Sequence, residues 1–135
     1  MDQLKKLLWN KKPSVPTQTT TQTGKVTEKF AAEYLMQQNL ILLEQNFHSK
    51  YGEIDLIMLD GETYVFVEVK YRKNDNYGGS LMAVSRSKQE KIRFCTKFYL
   101  QQQQLNEYNT PCRFDIVALE GDIKKPKINW LKNAF

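Results

Sequence analysis

Apolar residues recur at helical spacing between Lys25 and Gln38, where Val26, Phe30, Ala31, Tyr34 and Leu35 share a face and Thr23 or Thr27 can cap the start. The run Leu40 to Leu43 then reads as a buried strand continuing towards Phe47. Two β-rich runs follow, Glu53 to Leu59 and Thr63 to Val69, joined by Asp60-Gly61. An Asp-Gly pair between such runs is a strong hairpin signal. Residues 74–80, with Gly78-Gly79, have the composition of a mobile loop. A second helix is predicted from Ser85 to Gln104, with Val84, Ile92, Cys95, Phe98 and Tyr99 on its apolar face and Ser87 with Glu90 as a capping box. Arg113 to Leu119 is another buried strand, and Ile128 with Trp130 suits a short edge strand. The order α-β-β-β-α-β predicts an α/β domain with a mixed sheet flanked by helices. The long helical crossover lets the strand at 113–119 run parallel to an earlier one.

The first 23 residues stand apart. Leu4, Leu7 and Leu8 allow a short helix over 1–12, while residues 13–23 are dominated by Thr, Gln and Pro. Such a segment has too few apolar side chains to offset its ordering entropy, so 1–23 is read as a disordered tail and linker, and 24–135 as the domain. At 135 residues the chain has room for one core. No apolar run approaches the roughly 20 residues of a membrane span. Two cysteines and one histidine exclude a zinc knuckle and a disulfide-dense scaffold. A reduced, soluble, cytoplasmic domain is expected.

Charge sharpens this picture. The net charge is +5. Between Lys70 and Lys97 eight basic residues face only Asp75 and Glu90, a local net of +6, and the remainder is close to neutral. One basic arm on a neutral body favours a polyanionic partner.

Beside that arm lies an acidic group. If Asp60-Gly61 forms the centre of a two-residue turn, Leu59 pairs with Glu62, Asp55 lies opposite Phe66 and Glu53 opposite Glu68. Glu53, Asp55, Glu68 and Lys70 then share one face, with Ile54, Leu56, Val65 and Val67 on the other. Asp55 and Glu68 become diagonal neighbours, about 7–8 Å apart at the backbone. Acids in the middle of apolar strands are costly unless paired or metal-bound. Two readings follow: a salt-bridged strand end, with Glu68 satisfied by Lys70, or an oxygen-ligand site for Mg2+ or Mn2+ beside a phosphate. Acids, a lysine and a basic arm together suit phosphodiester hydrolysis.

Asp55 followed by Glu68-Val-Lys70 resembles the Asp…Glu-x-Lys signature of the restriction-endonuclease-like superfamily. More narrowly, Gly52-Glu-Ile-Asp-Leu-Ile57, Val65-Phe-Val-Glu-Val-Lys-Tyr-Arg72 and Arg113-Phe-Asp-Ile-Val117 resemble the YraN-type family of small bacterial endonuclease-like proteins. The resemblance covers about residues 24–135. It implies a core related to archaeal Holliday junction resolvases, which act as dimers, and so raises a homodimer. It implies that Asp55 and Glu68 bind the metal, that Val69 offers its carbonyl, and that Lys70 assists the attacking water. Glu28, in Thr27-Glu-Lys-Phe-Ala31, matches the first-helix glutamate that completes such sites. Thr27 stands where the family usually has Gly, and no Pro precedes Asp55.

Lys88 is the first choice for a helical phosphate contact, with Arg86 beside it, and Arg72 shares the parity of Glu68 and Lys70. Asp115 is expected to pair with a neighbouring basic group, and Tyr51, Tyr71 and Tyr77 suit half-buried positions as well as base stacking. The expected function is metal-dependent DNA endonuclease action, with branched DNA among the substrates. The alternative is a nucleic-acid-binding module that keeps the fold and does not cut.

Overall fold

A computed structural model describes residues 19–74 and 82–135. The expected helix over 1–12, the linker up to residue 18 and most of the 74–80 loop lie outside the described residues. The elements are α1 (Thr19–Gln37), β1 (Ile41–Ser49), β2 (Gly52–Asp60), β3 (Thr63–Arg72), α2 (Arg86–Gln102), β4 (Cys112–Glu120) and β5 (Lys127–Leu131). The strands form one mixed sheet in the order β1-β2-β3-β4-β5. Only β3 and β4 run parallel, joined through α2, and every other neighbouring pair is antiparallel. This is the α/β order α-β-β-β-α-β with β5 added, consistent with a restriction-endonuclease-like core.

Each face of the sheet buries one helix. Ala31, Ala32 and Leu35 of α1 pack on Leu56, Met58, Val65, Val67, Val117 and Leu119. Ile92, Cys95, Tyr99 and Leu100 of α2 pack on Phe47, Ile54, Ile57 and Phe66. At about 1.5–3 kcal/mol for each large apolar side chain buried, these two layers hold the sheet between the helices.

Several expectations are corrected. Helix α1 begins at Thr19, so Thr19 to Thr23 belong to it rather than to a linker. Thr27 lies inside the helix and donates its hydroxyl to the Gly24 carbonyl at 3.0 Å, so it does not cap the start. The cap of α2 is Ser85 rather than Ser87, its hydroxyl accepting the Lys88 N–H at 3.2 Å. Strand β1 is a sheet edge with Ile41 and Leu43 exposed, so it is buried on one side only.

The hairpin register also differs. Asp60 pairs with Thr63, which makes Gly61-Glu62 the centre of the turn. Gly61 takes φ +63°, the left-handed conformation that a Gly-X hairpin turn needs at its first central position. Carried one pair further this register would set Asp55 opposite Glu68, but the ladder stops at Leu56–Val67. The expected aliphatic face divides as well: Ile54 joins the α2 layer, whereas Leu56, Val65 and Val67 join the α1 layer. Beside this change of layer, between the β1–β2 pairs Gln45–Leu56 and Phe47–Ile54, Asn46 takes φ +50°.

Candidate active site

The β2–β3 ladder ends at Leu56–Val67, yet β2 continues beside β1 to Gly52 and β3 continues beside β4 to Arg72. The sheet therefore splits, with Asp55 on one arm and Glu68 and Val69 on the other. The Val69 N–H, freed from the ladder, donates to Asp55 Oδ2 at 2.8 Å and bridges the split. An open cleft of about 510 Å³ occupies this place, lined by Glu28, Asp55, Glu68, Val69, Tyr71 and Lys88 together with Thr23, Gly24 and Thr27 of α1.

Glu28 reaches the cleft from α1, where the Asn46 amide donates to its Oε1 at 2.9 Å. Asn46 is a site residue that sequence reasoning missed. Its positive φ is the sort of conformation Asn tolerates, but only the folded strand shows that it meets a helix 18 residues away. Glu68 is 6% exposed and meets the Lys88 ammonium at 2.5 Å. Lys88 projects from the first turn of α2, a position set by the Ser85 cap.

The electrostatics follow from this crowding. Burial, then the negative charge of Glu68, pushes the Asp55 carboxyl up to about 8; Glu28 adds to the rise, while the Val69 N–H and Lys88 oppose it. Burial alone would lower the Lys88 ammonium, but the hydrogen bond and charge of Glu68, with Asp55 and Glu53 behind, hold it above its usual value.

Not every expected residue is brought in. Lys70 shares the Glu68 side of β3, but its ammonium donates to the Ala83 carbonyl and it does not line the cleft. Glu68 is therefore satisfied by Lys88, not by Lys70. Arg72 is engaged with Glu120 at 2.9 Å. Arg86 is exposed at the start of α2, with Glu90 at 3.9 Å. Glu53 is turned to solvent against His48 at 3.3 Å. Asp115 is fully buried and pairs with Arg113, as expected, while also accepting from Trp130 Nε1 and the Asn133 N–H, both at 2.9 Å. It fastens β5 and the C-terminal segment to β4 and takes no part in the cleft.

The donor set suits a hard cation in kind: carboxylate oxygens of Asp55 and Glu68, with Glu28 behind them and no sulfur or imidazole. In spacing it is looser, for among the described residues no three acidic, His or Cys side chains come close enough to hold an ion together. Two carboxylates plus water and substrate phosphate is nonetheless an ordinary Mg2+ environment. Among the described residues no helix is long and apolar enough to cross a membrane.

The chain is 60% identical over 129 residues to a UPF0102 protein of Colwellia psychrerythraea, covering 96% of this chain and all of the relative. It is 46% identical over 121 residues to one from Pseudomonas fluorescens, covering 90% and 98%. With one from Legionella pneumophila it shares 43% identity over 116 residues, covering 86% and 96%. Residues 27–119, which contain Glu28, Asp55, Glu68, Lys70 and Lys88, match the description of one family. By this match and these relatives, the chain belongs to the uncharacterised protein family UPF0102, the YraN-type family whose motifs it carries.

Proposed function

We propose that this protein is a divalent-metal-dependent endonuclease that hydrolyses DNA phosphodiester bonds, with branched DNA among its substrates. The observation that carries this reading is the gathering of Glu28, Asp55 and Glu68 around one cleft at the split of the sheet, with a buried Asp55 pushed up to about 8. Concentrated negative charge of that sort is what a cation relieves. Asp55 and Glu68 would hold Mg2+ or Mn2+, with the Val69 carbonyl and Glu28 as further ligands. The metal supplies Lewis-acid polarisation of the phosphate and a more acidic bound water.

The chain's own residues do the rest. The Val69 N–H fixes the Asp55 carboxylate, and Asn46 fixes Glu28. With a cation held by Glu68, the Lys88 ammonium would be released from that carboxylate and free to contact a substrate phosphate. Lys70 orients the attacking water, which requires it to leave the Ala83 carbonyl. Arg86, exposed at the start of α2, extends the phosphate contacts. A homodimer, as in resolvase-like relatives, belongs to the same proposal.

A second reading, a nucleic-acid-binding module without cleavage, is favoured by the Lys88–Glu68 pair, which already neutralises one ligand. A nicking assay on branched, flapped, nicked and single-stranded DNA with Mg2+ and Mn2+ separates the two. The nuclease reading expects metal-dependent cutting that Asp55→Asn and Glu68→Gln both abolish. Binding without cutting on every substrate supports the module.

A further inference from the structure

Where the middle of α2 meets the β1–β2 turn, two aromatic rings lie on the surface. Tyr51, in the β1–β2 turn, is 40% exposed, and Phe94 of α2 is 52% exposed. Their rings stack with centroids 5.5 Å apart and planes inclined by 25°. Each carries a lysine: Lys50 Nζ lies 5.3 Å from the Tyr51 centroid and Lys97 Nζ 5.8 Å from that of Phe94. Lys91 borders the pair where the turn meets α2, its Cβ packed near Gly52. Among the described residues none of these three lysines is in an ion pair.

The platform is held in place. The Tyr51 N–H donates to Ser49 Oγ at 3.0 Å, and the Ser49 hydroxyl in turn donates to Cys95 Sγ at 3.2 Å on α2. The Cys95 thiol approaches the Gly52 carbonyl at 3.6 Å. The turn is thus tied to the helix, and the rings meet any ligand with little ordering left to do. A single exposed aromatic needs no explanation, but a stacked, anchored pair ringed by unneutralised lysines offers two recognition elements at once. It offers ring edges to a planar group, a π-face wherever Lys50 or Lys97 swings from its ring to an anion, and positive charge for that anion.

We propose that Tyr51 and Phe94 form a stacking platform for unpaired nucleotides of a DNA strand, with Lys50, Lys91 and Lys97 contacting its phosphates. The occupant is single-stranded because a duplex hides its base faces, while a lone strand presents bases and phosphates together. A protein partner matched to this surface would have to bring both an aromatic or planar group and several acids. Phe94 follows Lys88 by six residues, about 9 Å along the helix axis and roughly 120° around it, so a strand that reaches both the platform and the cleft has to pass around α2. The inference rests on the nucleic-acid reading above and gives it a substrate class: DNA with unpaired nucleotides next to the cleavage point.

The test uses the full chain and fluorescence anisotropy with three labelled probes: a twelve-residue oligo-dT, an abasic strand of equal length, and a blunt duplex. The wild type should prefer oligo-dT over the abasic strand, on the order of tenfold for each stacked base. Phe94→Ala and Tyr51→Ala should erase that preference while leaving duplex affinity within twofold. Phe94→Leu, which keeps apolar bulk against the turn, should erase it as well, and a matching thermal midpoint excludes unfolding. Photocrosslinking with 5-iodouracil in the oligo should label Tyr51 or Phe94. Variants that bind oligo-dT like the wild type, or crosslinks confined elsewhere, overturn the platform while leaving the nuclease reading intact. No binding to any probe overturns both.

Discussion

The ammonium of Lys88 lies 2.5 Å from Oε2 of Glu68, a carboxylate otherwise closed off from solvent. A lysine three residues past the cap of α2 thus neutralises the very acid that the Asp…Glu-x-Lys pattern assigns to a metal. The pair holds the cleft's charge in balance, and it sets a competition: a cation can use that oxygen only when the ammonium withdraws.

Lys88→Met should expose this competition. With divalent ions removed by chelation, the variant should lose about 1–3 kcal/mol of stability, the cost of leaving a buried charged acceptor without its donor. Millimolar Mn2+ should restore that loss, and calorimetry should show tighter Mn2+ binding than in the wild type. Equal affinity in the two proteins would place the cation away from Glu68.

Asp55 predicts an unusual pH profile. Its carboxyl is raised from 3.8 to about 8 in the folded protein, so the folded state binds a proton that the unfolded chain has released. The stability this contributes is complete below about pH 4 and is lost as pH rises towards 8. Chelator-treated wild type should therefore melt at a lower Tm at pH 8 than at pH 5 by more than Asp55→Asn does. Asp55→Asn keeps an oxygen for the Val69 N–H and should have the higher Tm at pH 8, by several degrees given roughly 2–8 °C per kcal/mol in domains of this size. Thermal melts from pH 4 to pH 9 check the difference.

Asp115 should matter for the fold and not for the cleft. Its carboxylate gathers Arg113, Trp130 and the Asn133 backbone, and Arg113 also reaches Asp60 at 2.9 Å. Asp115→Ala leaves these donors without their shared acceptor and should cost about 3–5 kcal/mol, read from urea unfolding. Mn2+ affinity of the folded variant should stay within twofold of wild type. Near-wild-type stability would contradict the structural role.

What could be read before the fold was known had a physical basis. The two β-rich runs 53–59 and 63–69 around Asp60-Gly61 marked both strands, and parity kept Asp55 and Glu68 on one side even though the turn centre moved from Asp60-Gly61 to Gly61-Glu62. A shift by two in the pairing sum preserves faces, whereas a shift by one would have separated them. The exchange of Lys70 for Lys88 was not readable in the same way. It depends on the phase of α2 against β3, which the Ser85 cap and the path after Arg72 decide together. Asn46 was hidden for a similar reason, since its contact with Glu28 exists only after β1 bends beside α1.

The most direct measurement is an isothermal titration of Mn2+ into the wild type, Asp55→Asn and Glu68→Gln, each with a branched DNA present. The wild type should take up the ion at millimolar concentration or below, and both variants should lose at least tenfold in affinity while still binding the DNA. Uptake that is absent in the wild type, or unchanged by both substitutions, would contradict a metal site at the split between β2 and β3.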